Sequence, residues 1–277
     1  MSAPARRTSE LPSALDGFES LLDPDRRLLV CLDYDGTLTP IVSRPELAVL
    51  DPAIRNVVHE LAGLCATAIV SGRDRADIAA RVGVSEAYYV GSHGFDVAGP
   101  ERSKIALVIG DPFLPALDSA EGLLRSRVAA IPGALVERKR FSVATHYRLV
   151  ARELVPAVDA LVSELLESFP SLRREPGKEV IEVQPNVAWD KGKAVLWMMA
   201  ALGLEDALPI HVGDDLTDET VFAVIDAHGA GIFVGEEDRA TAARFRLRNP
   251  AEVALLLRRL VVRLRARTTG QAGRTGG

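Results

Sequence analysis

Cysteine is scarce in this chain: there are two in 277 residues, Cys31 and Cys65. Both sit in apolar surroundings and read as small core residues, a usage that suits a reducing compartment. A basic excess is also missing. The formal net charge is -5, which gives no support to a nucleic-acid surface. An anionic small molecule stays compatible, because local charge matters more than the sum. No apolar run approaches membrane-spanning length, and the opening MSAPARRTSE has no apolar signal core. A cytoplasmic protein with no membrane or nucleic-acid partner is therefore expected. The rest of the composition is ordinary, with 48% apolar and 26% charged residues. That is the balance of a soluble globular chain long enough for one large or two modest domains.

One stretch stands out, residues 28–40, LLVCLDYDGTLTP. Leu28 to Leu32 make an apolar run short enough for a buried strand. It ends in two carboxylates, Asp33 and Asp35, with Gly36 and Thr37 behind them. A buried parallel strand delivers its last side chains to the carboxyl edge of a sheet, where open α/β folds place ligands. Carboxylates two apart face the same way if the chain stays extended. One could then attack an electrophile while the other moves a proton. Gly36 permits a sharp turn. Equally, the two aspartates could cap the next element or hold a turn.

Along the chain, a helix is expected over 11–22. Asp51 and Pro52 read as an N-cap and a first-turn proline before apolar residues at helical spacing, Ile54 to Leu64. A strand over 67–70 ends in Ser71-Gly72-Arg73-Asp74 and runs into a helix to about Val82. This alternation predicts a parallel sheet with crossover helices. After a short strand at 88–90 and Gly91-Ser92-His93-Gly94, the texture changes. Helix, strand, strand occurs twice, at 113–131, 135–139 and 142–147, then at 151–168, 172–175 and 179–184. That pattern predicts a small inserted domain. The first texture resumes at 188, with Asp190-Lys191-Gly192-Lys193 opening a helix. A strand over 209–212 ends in Gly213-Asp214-Asp215-Leu216-Thr217-Asp218-Glu219, a strand follows over 231–234, and a last helix starts at Asn249-Pro250 and runs to about Arg265.

The order DxDGT, serine at a strand end, lysine at a helix start, then GDDxTD resembles the haloacid dehalogenase (HAD) superfamily of phosphohydrolases. Finer stretches, GSHG at 91–94, VERKRFSVATHYR at 136–148, GKEVIEVQP at 177–185 and DKGKAV at 190–195, resemble the trehalose-6-phosphate phosphatases in particular. The resemblance implies an α/β fold: a Rossmann-like core with a parallel sheet, in residues 1–98 and 188–266, and an α+β cap of αββαββ order in 99–187. About the first ten residues are expected to be loose, and 267–277 disordered.

It also implies a monomeric Mg2+-dependent phosphatase acting on a small sugar phosphate. Asp33 would be the nucleophile and Asp35 the acid and base. Ser71 and Lys191 would act on the phosphate beside Gly36, Thr37, Gly72, Arg73 and His93. Asp33, the Asp35 carbonyl and Asp214 would hold the metal, supported by Asp215 or Asp218. Glu137 and Lys139 alternate with Arg138 and so share one strand face. The family pattern carries sugar contacts onto these two and onto Glu182, with Lys178 and Asn186 as further candidates. Taken singly, Ser71 and Thr217 read as caps, Lys191 as a solvated lysine, His93 as a turn residue and the acidic run 214–219 as a helix start. Lys178 and Asn186 fit a solvated sheet face as well. Two rival readings stay open: a phosphatase for another sugar phosphate, such as sucrose or mannosylglycerate phosphate, and a catalytically silent regulatory partner.

Overall fold

The computed structural model describes residues 6–23, 25–42, 44–177 and 179–272. They divide into two compact units, residues 1–107 with 190–277, and residues 108–189.

The larger unit is built on an eight-stranded sheet. Its strands are β1 (Leu28–Leu32), β2 (Ala66–Val70), β3 (Tyr88–Gly91), β4 (Asp96–Ala98) and β5 (Ala106–Val108). The second run of the chain adds β10 (Leu208–Gly213), β11 (Ala230–Val234) and β12 (Phe245–Leu247), the numbers between falling in the smaller unit. The spatial order is β12-β11-β10-β1-β2-β3-β4-β5. From β12 to β3 every neighbouring pair is parallel, and β4 turns back against β3. All five residues of β1 and all six of β10 are buried. This explains why neither shows the alternation of a half-exposed strand: the first is apolar throughout and the second apart from His211.

Helices complete the unit. Asp51 accepts the Ala53 N–H at 2.7 Å and Pro52 takes the first helical position of α1 (Pro52–Leu64), so that proline costs no hydrogen bond. After β2, α2 (Arg75–Val82) ends on Gly83 in the left-handed region, at φ 65°. Val58 and Leu61 of α1 share one core with Val30 and Leu32 of β1 and with Leu257 and Leu260 of α7 (Pro250–Ala272). Elsewhere α5 (Lys191–Ala201) packs on α6 (Glu219–Ile225), which lies on β10 and β11.

The smaller unit runs α3 (Leu114–Val128), β6 (Leu135–Lys139), β7 (Ser142–His146), α4 (Val155–Ser168), β8 (Leu172–Gly177) and β9 (Val180–Pro185). Its four strands form an antiparallel sheet in the order β6-β7-β9-β8. Val136, Val143, Ile181 and Val183 pack with Leu117 and Leu124 of α3 and Val158 and Val162 of α4. One face of this sheet is therefore its core, and the residues between them point the other way.

Several expectations are corrected. Residues 6–10 are ordered: Arg6–Arg7 pair with Ala240–Thr241, and Arg6 bonds Asp226 at 3.0 Å. No local pattern announces a two-residue pairing that distant. The helix expected over 11–22 is one turn, Ala14–Gly17, followed by a 3-10 turn. Residues 99–107, expected in the insert, lead into β5 of the large sheet, so the division falls at 108–189. The last helix continues to Ala272, so 267–272 are not disordered, and the remaining tail lies outside the described residues. Among the described residues no helix is long and apolar enough to cross a membrane.

Losing the cap on α1 gives a direct check. Asp51→Ala should lower stability by about 0.5–2 kcal/mol, read as a lower midpoint in urea. An unchanged midpoint would mean that the proline alone sets the start of the helix.

Candidate active site

Strand order positions the site. From β1 the chain crosses to β2 on one side, and it later returns as β10 on the other. The carboxyl edge between β1 and β10 is thus the switch point of the sheet, the place where open α/β folds bind ligands. Asp33 and Asp214 are the first residues past these two strands. The register brings them side by side, since the Asp33 N–H donates to the Val212 carbonyl at 2.9 Å. Gly36 has a φ of 80°, and a Cβ there would overlap the Asp214 carboxylate. Glycine is required both for the turn and for the approach of that carboxylate.

Lys191, at the start of α5, is buried and reaches two acids. Its Nζ lies 3.0 Å from Asp33 Oδ1 and 2.9 Å from Asp218 Oδ1. Asp218 Oδ1 also meets His211 Nε2 at 2.9 Å, and Asp218 Oδ2 accepts the Asp215 N–H at 3.1 Å. Carboxylate oxygens of Asp33, Asp214 and Asp218 all lie within 4.8 Å of one another. Two like charges at that distance repel by about 3–4 kcal/mol at an effective dielectric near 20. Burial pushes the Asp33 carboxyl up, against the pull of Lys191. Burial, with the charges of Asp218 and Asp215, pushes Asp214 up to about 8. Asp218 goes the other way: burial opposes its charge, but Lys191 and the hydrogen bond from His211 outweigh it and hold its carboxyl below the ordinary range.

The remaining core candidates are less uniform. Asp35 does not join the cluster with its side chain, which receives two hydrogen bonds from Arg73 at 2.6 and 2.7 Å. Arg73 is tied further to Asp77 at 3.2 Å and the Pro45 carbonyl at 3.0 Å. Thr37 is fully buried, and its Oγ1 has no hydrogen-bond partner among the described residues. Ser71 is buried and accepts the Arg73 N–H at 3.1 Å, which leaves its own hydroxyl proton to donate. Gly72 carries the His93 ring close against it, where a Cβ would overlap. His93 itself sits at φ 56°, a turn conformation. Asp215, expected as a possible metal ligand, caps the turn after it by accepting the Leu216 N–H at 2.7 Å and is outside the carboxylate cluster.

In the smaller unit, Glu137 and Glu182 both pair with Ala144 across the sheet, so the three share a face. Glu137 Oε2 is 2.8 Å from His146 Nε2, a contact that holds the Glu137 carboxyl below its ordinary range. Lys139 is ion-paired to Glu182, and Gln184 donates to Glu175 at 2.9 Å. Arg138 points to the helix side, bonding Asp118 at 2.8 Å. Asn186 stands apart from this polar ladder, its amide donating to the Pro170 carbonyl at 3.1 Å. Lys178 lies outside the described residues.

Two histidines escape a reading of the motifs alone, His146 and His211. For His211 there was a signal: a polar ring inside LPIHVG, an otherwise apolar strand, has to be satisfied by something. His146 is two residues short of the end of the stretch VERKRFSVATHYR, but nothing local ties it to Glu137.

A switch-point aspartate, a buried lysine and a second acidic turn on an α/β sheet define a hydrolase of the haloacid dehalogenase fold. A haloacid dehalogenase-like hydrolase from Bacteroides thetaiotaomicron shares that fold, with a TM-score of 0.60 at 16% identity over 85% of this chain and 100% of that one. The trehalose-phosphatase family model matches residues 31–251, and the chain belongs to that family. It is 42% identical to a trehalose-phosphate phosphatase of Mycobacterium bovis, over 94% of this chain and 68% of the relative. A solved trehalose-6-phosphate phosphatase related protein aligns with a TM-score of 0.74 at 27% identity, over 84% of this chain and 97% of that one.

The raised carboxyl of Asp214 has a sign that can be tested. Its folded value, about 8, lies above the ordinary carboxylate value near 4. The folded state therefore binds more protons than the unfolded state between these values, and stability is lost as pH rises through them. With a chelator present, the thermal midpoint should fall from pH 6 to pH 8, and a divalent cation should remove that fall. A midpoint level or rising without cation would contradict the electrostatics described here.

Proposed function

We propose that this chain hydrolyses trehalose 6-phosphate to trehalose and phosphate through an aspartyl-phosphate on Asp33. The observation that carries the reading is the buried Asp33 carboxylate, gripped by Lys191 at the switch point of the sheet, in a chain of the trehalose-phosphatase family. In the first half-reaction an Asp33 oxygen attacks phosphorus in line, and the bond from phosphorus to the sugar oxygen breaks. Asp35 gives its proton to that oxygen. In the second half it takes a proton from the water that attacks the phosphorus and frees Asp33. Arg73 holds both oxygens of Asp35, so this pair must open before Asp35 can reach the departing oxygen. Lys191 offsets phosphate charge, and the Ser71 and Thr37 hydroxyls with backbone N–H groups near Gly36 and Gly72 receive the phosphate oxygens.

The donor set suits a hard cation. Asp218 is committed through both oxygens, which leaves Asp33, Asp214 and the Asp35 carbonyl to hold Mg2+, a metal that takes oxygen ligands and retains waters. When bound, Mg2+ neutralises charge as a phosphate dianion meets the Asp33 carboxylate.

Glu137, Lys139 and Glu182 receive the sugar hydroxyls and set the choice of substrate. Their pairing with His146 and with each other supports groups held ready in one arrangement. Intact Asp33, Asp35, Lys191 and Asp214 weigh against a silent regulatory role. The reading is of a cytoplasmic monomer that needs no nucleic acid.

Asp33→Asn should abolish phosphate release from every substrate while leaving the thermal midpoint near that of the parent. Near-normal turnover by a clean preparation would remove Asp33 from its role. Glu182→Ala should cut trehalose 6-phosphate hydrolysis by about ten- to a hundred-fold, the worth of a hydrogen bond to a charged group. Hydrolysis of p-nitrophenyl phosphate, which offers no sugar hydroxyls, should fall far less. Parallel losses would make Glu182 structural, and no loss on trehalose 6-phosphate would turn attention to another sugar phosphate.

A further inference from the structure

His211 lies in the middle of β10, fully buried. Its Nε2 is 2.9 Å from Asp218 Oδ1, the same oxygen that meets Lys191 Nζ at 2.9 Å, and that Nζ is 3.0 Å from Asp33 Oδ1. An ionised carboxylate only accepts hydrogen bonds, so Nε2 must carry the proton. Nδ1 has no hydrogen-bond partner among the described residues. On its side face stands Phe222, with ring centroids 5.4 Å apart.

We propose that His211 is a positioning residue, which holds Asp218 Oδ1 in the orientation that seats Lys191 on the Asp33 carboxylate. Asp218 has two handles, Oδ2 on the Asp215 N–H and Oδ1 on His211. Gly213 leaves the room in which that carboxylate lies, since a Cβ there would overlap it. The terminal torsion of an aspartate is broad. Without the His211 N–H, only the Asp215 N–H and Lys191 itself orient the group. Asp218 can then turn, and Lys191 follows it away from Asp33. As packing alone, leucine would fill the position without burying an unpaired nitrogen, so a role confined to the core predicts that leucine is tolerated.

The inference rests on the reading of Asp33 and Lys191 given above. The probe is p-nitrophenyl phosphate with Mg2+, which keeps the sugar-binding groups of the smaller unit out of the measurement. His211→Leu removes the donor and keeps the apolar volume. Its kcat should fall about ten- to a hundred-fold, in a variant that remains folded by circular dichroism. His211→Gln places an amide N–H near the position of Nε2 and should restore most of the loss. His211→Asn, whose amide ends near the position of Nδ1, should not. A kcat for His211→Leu equal to the parent would overturn the proposal, and so would equal losses in the glutamine and asparagine variants. If His211→Leu does not fold, the comparison of glutamine with asparagine decides alone. Asp33→Asn is the control: if it matches the parent, the reading of the site is at fault. If it is inactive while His211→Leu is not, only the role of His211 falls.

Discussion

A buried ammonium between two carboxylates sets the terms for the rest of the larger unit. Lys191 is 3% exposed and bridges Asp33 and Asp218. Removing the lysine would leave both carboxylates without a counter-charge in a dry place, at a cost of several kcal/mol. The lysine can reach Asp33 only because Asp190 starts α5 at the right point, by accepting the Lys193 N–H at 2.9 Å. Asp218 can be there only because the turn after β10 folds back, with Asp215 and Asp218 capping each other's backbone. A parallel sheet brings these pieces together because its switch point sets the ends of β1 and β10 next to each other.

The same balance explains why the site asks for more positive charge than the chain supplies. One ammonium faces Asp33, Asp214 and Asp218, so the net charge of the cluster is negative when all three acids ionise. Burial opposes the charge of all three acids, but only at Asp218 do Lys191 and His211 outweigh it. The two roles thus separate by environment. Asp218 is the fixed anion that holds the lysine, and Asp33 and Asp214 are the acids whose charge depends on what binds.

Much of this was legible in the sequence, for a physical reason. Strands buried on both faces show as runs without alternation, and LLVCL and LPIHVG each lie directly before the acids they deliver. The helices of the smaller unit followed from period, as did the common face of Glu137 and Lys139 and the outward side of Glu182 between Ile181 and Val183, whereas bringing the three together rested on the family resemblance. What did not show were interactions closed over long sequence distance. The grip of Arg73 on Asp35 and the pairing of Arg6–Arg7 with Ala240–Thr241 depend on the fold and leave no local pattern, while the contact of His146 with Glu137 depends on the register of a hairpin. Short strands such as Asp96–Ala98 and Ala106–Val108 are too brief for periodicity to register, which is why the inserted unit looked longer than it is. Cys31 and Cys65 behave as core residues: burial raises both thiols, Cys65 to about 11, so neither is a reactive thiolate at neutral pH.

The central claim is a covalent bond between Asp33 and phosphorus, and it can be read directly. In Asp35→Asn the second half-reaction lacks its base, while p-nitrophenolate leaves without an acid, so the phosphorylated enzyme should accumulate. Quenching that reaction in acid and reducing with borohydride converts an aspartyl-phosphate to homoserine, which peptide mass mapping locates. Homoserine at position 33, in an amount that tracks the burst of p-nitrophenolate, is the predicted result. A burst with homoserine at another position, or turnover of this variant with position 33 unmodified, would contradict the account.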